Sequence, residues 1–285
     1  MLISLVASLP SPSSGVLTIG PLHLNAYGLM IALGVIAAVR LASKRLEARG
    51  VGSTDDMSSI AMWAVPAGVV GSRLYHVITD WSRFDGDVVE MAKIWKGGLG
   101  IWGGIALGVP VGLYVAHRRG LSIGPALTCV VPALPLAQAI GRWGNWWNQE
   151  LFGRATTLPW GLEISPDKTM AAGFPVGTVF HPTFLYESIA CVLICVGLLA
   201  LDRRMPMRPG RLFFVYTASY TAFRFFIEGI RIDPAHHVGG LRINQWVSLV
   251  VFSLSILVLA TDRWRGGTVQ LEQPEDAGST VDTYE

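Results

Sequence analysis

What most constrains this chain is a recurrence of apolar runs, each close to the roughly 20 residues a helix needs to cross a hydrocarbon core. Seven can be drawn, at 22–42, 58–78, 98–116, 121–140, 183–201, 212–230 and 243–260. They are too long and too continuously apolar to be the strands of a membrane barrel. With 51% hydrophobic and 15% charged residues, a soluble domain does not fit. The reading is an all-α polytopic membrane protein of seven transmembrane helices. Residues 1–265 form one membrane domain, followed by a polar, acidic tail at 266–285 with the composition of disorder.

Basic residues orient the bundle. The loops after the first, third, fifth and seventh runs are short and densely basic, for example Lys44, Arg45 and Arg49, or Arg203, Arg204, Arg208 and Arg211. The opposite loops are longer, and their cations are diluted by acids such as Asp80, Asp87 and Glu163. The positive-inside rule then puts the N-terminus outside and the C-terminus in the cytoplasm. Residues 1–21 lack the basic front of a cleavable signal and read as a short translocated tail. Most tryptophans, including Trp81, Trp95, Trp102, Trp143, Trp146, Trp147 and Trp246, fall near the outer ends, as an aromatic belt would. The longest loop, 142–181, lies outside and predicts a small strand-and-turn cap between helices four and five.

Several classes drop out. Cys129, Cys191 and Cys195 all lie inside apolar runs and read as packing residues. No His, Cys, Asp or Glu spacing resembles a metal site, and no glycine-rich loop resembles a nucleotide site, so no cofactor is expected. A formal net charge of +2 says little about partners, and nucleic acid is not expected among them. No internal repeat suggests a transporter.

The polar residues inside this apolar chain gather at one level. Given the orientation, Tyr27, Arg73, Trp102, Gly141, Arg142, His181, Tyr186, Glu187, Arg224 and Glu228 all fall near the outer headgroup boundary. Tyr220, Arg224, Glu228 and Arg231 are spaced four, four and three apart, forming one stripe on a helix. An arginine at the midplane costs at least about 2.5–3.5 kcal/mol on insertion scales, so such a stripe predicts a wet, anion-binding wall. The densest stretch is GRWGNWWNQELFGR, residues 141–154, directly after the fourth run. Its glycines let backbone approach closely, and its arginine forks suit phosphate or carboxylate. It reads as the lip of an active site for a phospholipid headgroup.

Blander readings stand beside this one. Arg73 alone would snorkel to the interface. Arg224 with Glu228 would be a satisfied bundle ion pair. Glu187 would cap or pair within the bundle, and His181, before Pro182, would be a loop residue. The glycine pairs at 97–98 and 103–104 around Trp102 would allow close helix packing.

The chain resembles the prolipoprotein diacylglyceryl transferases of bacterial inner membranes. The match rests on IGPLHLNAYGLM (19–30), GSRLY (71–75), GGLGIWGG (97–104), GRWGNWWNQELFGR, HPTFLYE (181–187) and YTAFRFFIEGIR (220–231), in the family's order. The resemblance implies transfer of the diacylglyceryl group of phosphatidylglycerol to the lipobox cysteine thiol of a preprolipoprotein, making a thioether and releasing glycerol phosphate. Its partners are therefore phosphatidylglycerol, a preprolipoprotein signal peptide and membrane lipids. On that reading Arg142 and Arg224 hold the phosphate and stabilise the charge on the departing group. Asn145 and Asn148 orient headgroup hydroxyls or ester oxygens, Glu150 and Glu228 fix the arginine forks, and Tyr27 positions lipid. Gly153 allows a close approach or turn, and Arg73, Trp102, Gly141, Arg154, His181, Tyr186, Glu187 and Arg231 line the substrate site.

Two positions depart from the family pattern. Trp102 stands where many members have a histidine proposed as the thiol's base, and Phe184 where glutamine is common. The base is open among Tyr220, His181, Glu150 and the field of the arginines, which itself lowers a thiol pKa. The alternatives to a transferase are a channel or flippase for an anionic lipid or solute, and a non-catalytic lipid-binding scaffold. A transport path predicts charge along the whole depth of the bundle, and the inner halves of the runs carry almost none.

Overall fold

The computed structural model describes residues 8–20, 22–84, 86–94, 97–205 and 207–261. The tail expected at 266–285, the first seven residues, and Trp95 of the expected belt lie outside the described residues. The chain is mostly helical: α1 Ala26–Ala48, α2 Thr54–Thr79, α3 Val88–Ala92, α4 Ile101–Arg118, α5 Ile123–Val130, α6 Ala133–Asn148, α7 Pro166–Ala171, α8 Thr183–Arg204, α9 Arg211–Ile230 and α10 Ile243–Thr261. Among the described residues, four stretches are long and apolar enough to cross a membrane: α1, α5 with α6 taken as Ile123–Asn148, α8 and α10. The other expected runs fall on α2, α4 and α9.

Local chemistry sets the helix ends. The first helix starts at Ala26 rather than residue 22, because the Asn25 side chain accepts from Gly28 N and caps it. The α2 start is a capping box, in which Ser53 and Asp56 exchange side-chain-to-backbone bonds, with Asp55 and Asp56 at the positive end of the dipole. α5 and α6 are separated at Val131–Pro132, where proline lacks the N–H that a continuous helix would use. α6 then runs on to Asn148 and is closed by Gln149 in the left-handed region, φ 50. The stretch expected to lie beyond the fourth span is therefore helical through residues 141–148. Its polar groups are tolerated because they meet partners inside the bundle.

Helices pack in a chain of neighbours, α2 on α4, α1 on α6, α6 on α8 and α9 on α10. The α2–α4 contact is the closest. A Cβ placed on Gly103 would lie 2.1 Å from the Gly71 carbonyl oxygen, and one on Gly108 would lie 3.1 Å from the Gly68 Cα. Here the glycines at 103–104 serve helix packing. At the end of the bundle where α1 finishes, a hydrophobic cluster of Ala42, Leu46, Met57, Ala116, Leu121 and Cys129 joins α1, α2, α4 and α5. Arg45 stitches that end by donating to the carbonyls of Thr128 (3.1 Å) and Cys129 (2.9 Å) and to buried Asp202 (2.5 Å), which Arg49 also meets.

The opposite end carries short strands, of which one, at 162–163, lies in the stretch where a strand-and-turn cap is expected and the others lie outside it. β1 Leu9–Pro10 pairs in parallel with β4 Leu162–Glu163. β2 Val16–Ile19 pairs antiparallel with β3 Leu22–Asn25, and β5 His237–Val238 with β6 Leu241–Arg242. Within 142–181, where a cap is expected, the chain gathers around Phe180, Leu162, Phe152 and Phe174. The segment expected to be a simple tail instead straps this region, with Trp146 Nε1 donating to the Pro10 carbonyl at 3.1 Å and Gln149 Nε2 to Pro12 at 2.6 Å.

Candidate active site

The end of α6, the start of α8, the end of α9 and the start of α10 bring their charges to one place. Glu187, 2% exposed on the first turns of α8, is its centre. Its Oε2 takes Arg142 Nη2 at 2.7 Å and Arg224 Nη1 at 3.0 Å. Arg224 continues to Glu228 Oε2 at 2.5 Å through its other nitrogen, so one planar fork spans two carboxylates. Glu228 is fully buried, and its Oε1 meets Arg242 Nε at 3.2 Å and Asn244 Nδ2 at 3.1 Å. Asp233 closes the row, accepting from Arg231 Nε at 2.7 Å and Arg242 Nη2 at 2.9 Å. Burial raises the pKa of Asp233, but the hydrogen bond and charge of Arg231, with Arg242 behind it, outweigh that and hold it below the usual carboxylate range.

In this connected row four guanidinium groups face three carboxylates, an excess of one positive charge among the described residues. Arg142 sits at its end and is the most exposed of the four, at 20% of its side chain against 14% for Arg224 and 6–7% for Arg231 and Arg242. Arg142 and Arg224 are therefore the more accessible pair of the four. Arg142 Nη1 also faces Asn145 Oδ1 at 3.4 Å, and Asn145 passes the contact on by donating to Glu150 Oε1 at 2.8 Å. Tyr27 packs against this turn, so that a Cβ on Gly144 would fall 2.5 Å from its ring, and its phenol faces Asn145, Glu150 and Arg142. Tyr220 also lies beside Arg142. Beside Gly141 a Cβ would meet nothing within 4 Å, which leaves that face of the helix clear.

Other expected site residues lie elsewhere. Arg73, 7% exposed, donates to the carbonyls of Glu90 (2.8 Å), Met91 (2.8 Å), Gly97 (2.6 Å) and Gly98 (3.1 Å) and sits 5.3 Å from the Phe84 ring centroid. Its fork organises the loop before α4 and does not join the cage. Trp102, half-exposed on the first turn of α4, meets none of the cage arginines among the described residues. Arg154 ties the cap to α9 through its N–H to Ile230 O at 2.9 Å and its side chain to Gly229 O. Gly153 lies beneath it, where a Cβ would be 2.8 Å from His181 Cβ and 3.1 Å from Ile230 O, so close approach requires glycine. His181 Nδ1 and Trp160 Nε1 both meet the Tyr186 hydroxyl, at 3.2 and 2.9 Å, in a cap network. Asn148 turns toward the strap, near Gly15.

Two expectations about local structure change. Arg231 is the C-cap of α9, extended (φ −71, ψ 147) and paired with Gly153 rather than helical, yet its Nη1 still faces Glu228 Oε2 at 3.7 Å, three residues back on the stripe. Trp143 and Trp146, expected in the aromatic belt, pack inside the bundle. Both rings contact Phe184, at centroid distances of 5.5 and 6.2 Å, so Phe184 completes an aromatic cluster. Sequence reasoning misses Arg242 and Asn244 as partners of Glu228. Their only signal is the gathering of Arg242, Asn244 and Gln245 at the threshold of the last apolar run.

Known proteins share this chain's sequence across nearly its whole length. A family model described as prolipoprotein diacylglyceryl transferase matches residues 14–261. The chain is 48% identical over 288 residues to phosphatidylglycerol–prolipoprotein diacylglyceryl transferase 1 of Streptomyces coelicolor, covering 97% of this chain and 82% of that protein. It is 46% identical over 275 residues to the phosphatidylglycerol–prolipoprotein diacylglyceryl transferase of Streptomyces griseus, covering 95% and 82%. The correspondingly named protein of Mycobacteroides abscessus is 45% identical over 263 residues, covering 87% and 76%.

Proposed function

The chain belongs to the prolipoprotein diacylglyceryl transferase family and is a transferase, and from that premise we propose how its residues move the diacylglyceryl group of phosphatidylglycerol onto prolipoprotein. The acceptor is the lipobox cysteine thiol. Its sulfur attacks the glyceryl carbon that carries the phosphate ester, a C–S bond forms, and the C–O bond breaks with its electron pair leaving on glycerol phosphate. The thiol proton passes to a base, and the product is a thioether.

The single observation that carries this reading is the meeting of Arg142 and Arg224 on one oxygen of Glu187. Two forks already spaced to share an oxygen are spaced to share a phosphate oxygen too. Held out of water, they stabilise the charge that grows on the departing phosphate without reorganising, which in many active sites is the main source of rate enhancement. Asn145 transmits the position of Arg142 to Glu150. Of the three residues considered as base, Tyr220 and Glu150 border the cage, whereas His181 is engaged with Tyr186 in the cap.

We place the enzyme in the bacterial cytoplasmic membrane as seven spans formed by α1, α2, α4, α5–α6, α8, α9 and α10, with the N-terminus outside. The cage lies at the end of the bundle away from the basic loops, which supports an active site at the outer leaflet. At the opposite end Arg45, Arg49 and Asp202 satisfy one another and nearby carbonyls, which favours transfer over a charged transport path. The test is direct: purified protein, phosphatidylglycerol and a lipobox peptide are incubated and the peptide is weighed by mass spectrometry. A diacylglyceryl addition is expected; its absence where a known transferase succeeds defeats the assignment.

A further inference from the structure

We propose that a polar cavity beyond Glu150 reads the terminal glycerol of the lipid headgroup, an inference that rests on the transferase reading above. The cavity has a volume of about 310 Å³ and is lined by Ser13, Ser14, Asn148, Glu150, Ser165 and Lys168, with Trp147, Gln149 and Gly15 completing the wall. It lies between the N-terminal strap, the closing turn of α6 and the start of α7.

This cavity is held in shape by bonds from both of its sides. Gln149, buried and in a left-handed conformation, fixes the two at once: its Nε2 donates to Pro12 O at 2.6 Å and its Oε1 accepts from Ser165 N at 2.7 Å. The strap comes so close that a Cβ on Gly15 would sit 2.9 Å from Asn148 Oδ1. Lys168 Nζ donates to the Asn148 carbonyl at the end of α6, where the helix dipole favours a cation.

Glu150 is the wall shared with the cage, reached from Arg142 through Asn145 by contacts of 3.4 and 2.8 Å. A phospholipid whose phosphate lies on Arg142, with its acyl chains in the membrane, points its headgroup alcohol outward, past Glu150 and into this cavity. The lining matches a neutral polyol. Two hydroxyls donate to the Glu150 carboxylate and accept from Lys168, the Asn148 amide and the serines, while acyl chains would strand all of these polar groups. A cationic headgroup would meet the ammonium of Lys168. The donor's glycerol end is thus distinguished from other phosphatidyl alcohols by hydrogen bonds that a smaller alcohol cannot make.

The experiment compares transfer to a lipobox peptide from phosphatidylglycerol and from phosphatidylethanol, which keeps the phosphate and diacylglycerol but lacks both terminal hydroxyls. The full-length wild type should favour phosphatidylglycerol in kcat/KM by about tenfold or more, since a site built for hydroxyls rejects the analogue lacking them. Ser14→Val, Ser165→Val and Lys168→Met, outside the cage, should shrink that preference to about threefold or less while leaving the phosphatidylethanol rate close to wild type. A wild type indifferent to the two donors overturns the proposal. So do cavity variants that keep the preference, or that lose both donors equally, since the cavity would then only prop the fold. Absence of product from either donor with the wild type would instead defeat the transferase reading itself.

Discussion

Arg142 on α6 and Arg224 on α9 close on the same atom, Oε2 of Glu187, at 2.7 and 3.0 Å. The carboxylate occupies the place between the forks that a phosphate oxygen would otherwise share, so it is both their spacer and their resting counter-ion. Glu187→Gln keeps the shape but leaves two partly buried guanidinium groups facing one another with half their compensation gone. The variant should lose about 3 kcal/mol of stability, the usual cost of breaking a buried pair. Phosphatidylglycerol should then raise its unfolding temperature in detergent more than that of the wild type, because bound phosphate restores the missing charge. Equal lipid-induced shifts in the two proteins would contradict a phosphate between the arginines.

The same geometry separates charge from shape. Arg224 spans Glu187 and Glu228 with two different nitrogens of one plane, which a lysine ammonium cannot do. Arg142→Ala and Arg224→Ala should each reduce turnover by about 10²–10³, the loss typical of one oxyanion donor, and Asn145→Ala should fall as far through misplacement of Arg142. Arg224→Lys should recover less than about a tenth of the wild-type rate, since charge is kept and the fork is lost. Single-turnover measurements with saturating lipid give the comparison, and wild-type rates in the lysine variant would show that position matters less than charge.

Much of this is readable from the order of residues alone. Apolar runs announce helices whatever their neighbours, and alternating basic loops bring Arg142, Glu187, Arg224 and Glu228 to one level. What periodicity cannot show is which partner each polar group takes. Arg73 reads as a substrate ligand because charge inside an apolar run is costly, but the cost is met by four loop carbonyls whose approach depends on a turn remote in sequence. The polar stretch at 141–148 resembles a loop for the same reason and is a helix, since Trp143 has Ser188 and Asn145 has Glu150 waiting inside. Arg242 carries no motif at all. It matters because Glu228, buried completely, needs a cation beyond Arg224, and the threshold of α10 delivers it.

Asp233 gives the cage an acid edge. Because Arg231 and Arg242 hold its folded-state pKa below the unfolded value, it adds stability above the ordinary carboxylate range, and that stability is lost as pH falls through its folded pKa. The wild-type unfolding temperature should therefore drop as pH falls below the ordinary aspartate value, about 3.9. Asp233→Asn should be less stable at neutral pH and should flatten that part of the curve. Parallel curves for the two proteins would mean that the ion pairs at 2.7 and 2.9 Å contribute nothing to folding.

The α2–α4 crossing sets a limit that chemistry at the cage cannot relax. A Cβ at Gly103 would lie 2.1 Å from the Gly71 carbonyl oxygen and 2.5 Å from Tyr75 Cβ, and backbone cannot step aside as a long side chain would. Gly103→Ala should therefore cost about 1–3 kcal/mol, as overpacking does, by forcing the two helices apart. Gly197, on α8, supplies the control, since a Cβ there meets nothing within 4 Å. Gly197→Ala should be neutral or stabilising by up to about 1 kcal/mol, alanine being the better helix former. Unfolding temperatures of the two variants in one detergent decide the matter. Equal values would show that α2 and α4 do not need to touch backbone to backbone, and a helix pair so loose could not hold the loop that Arg73 gathers between them.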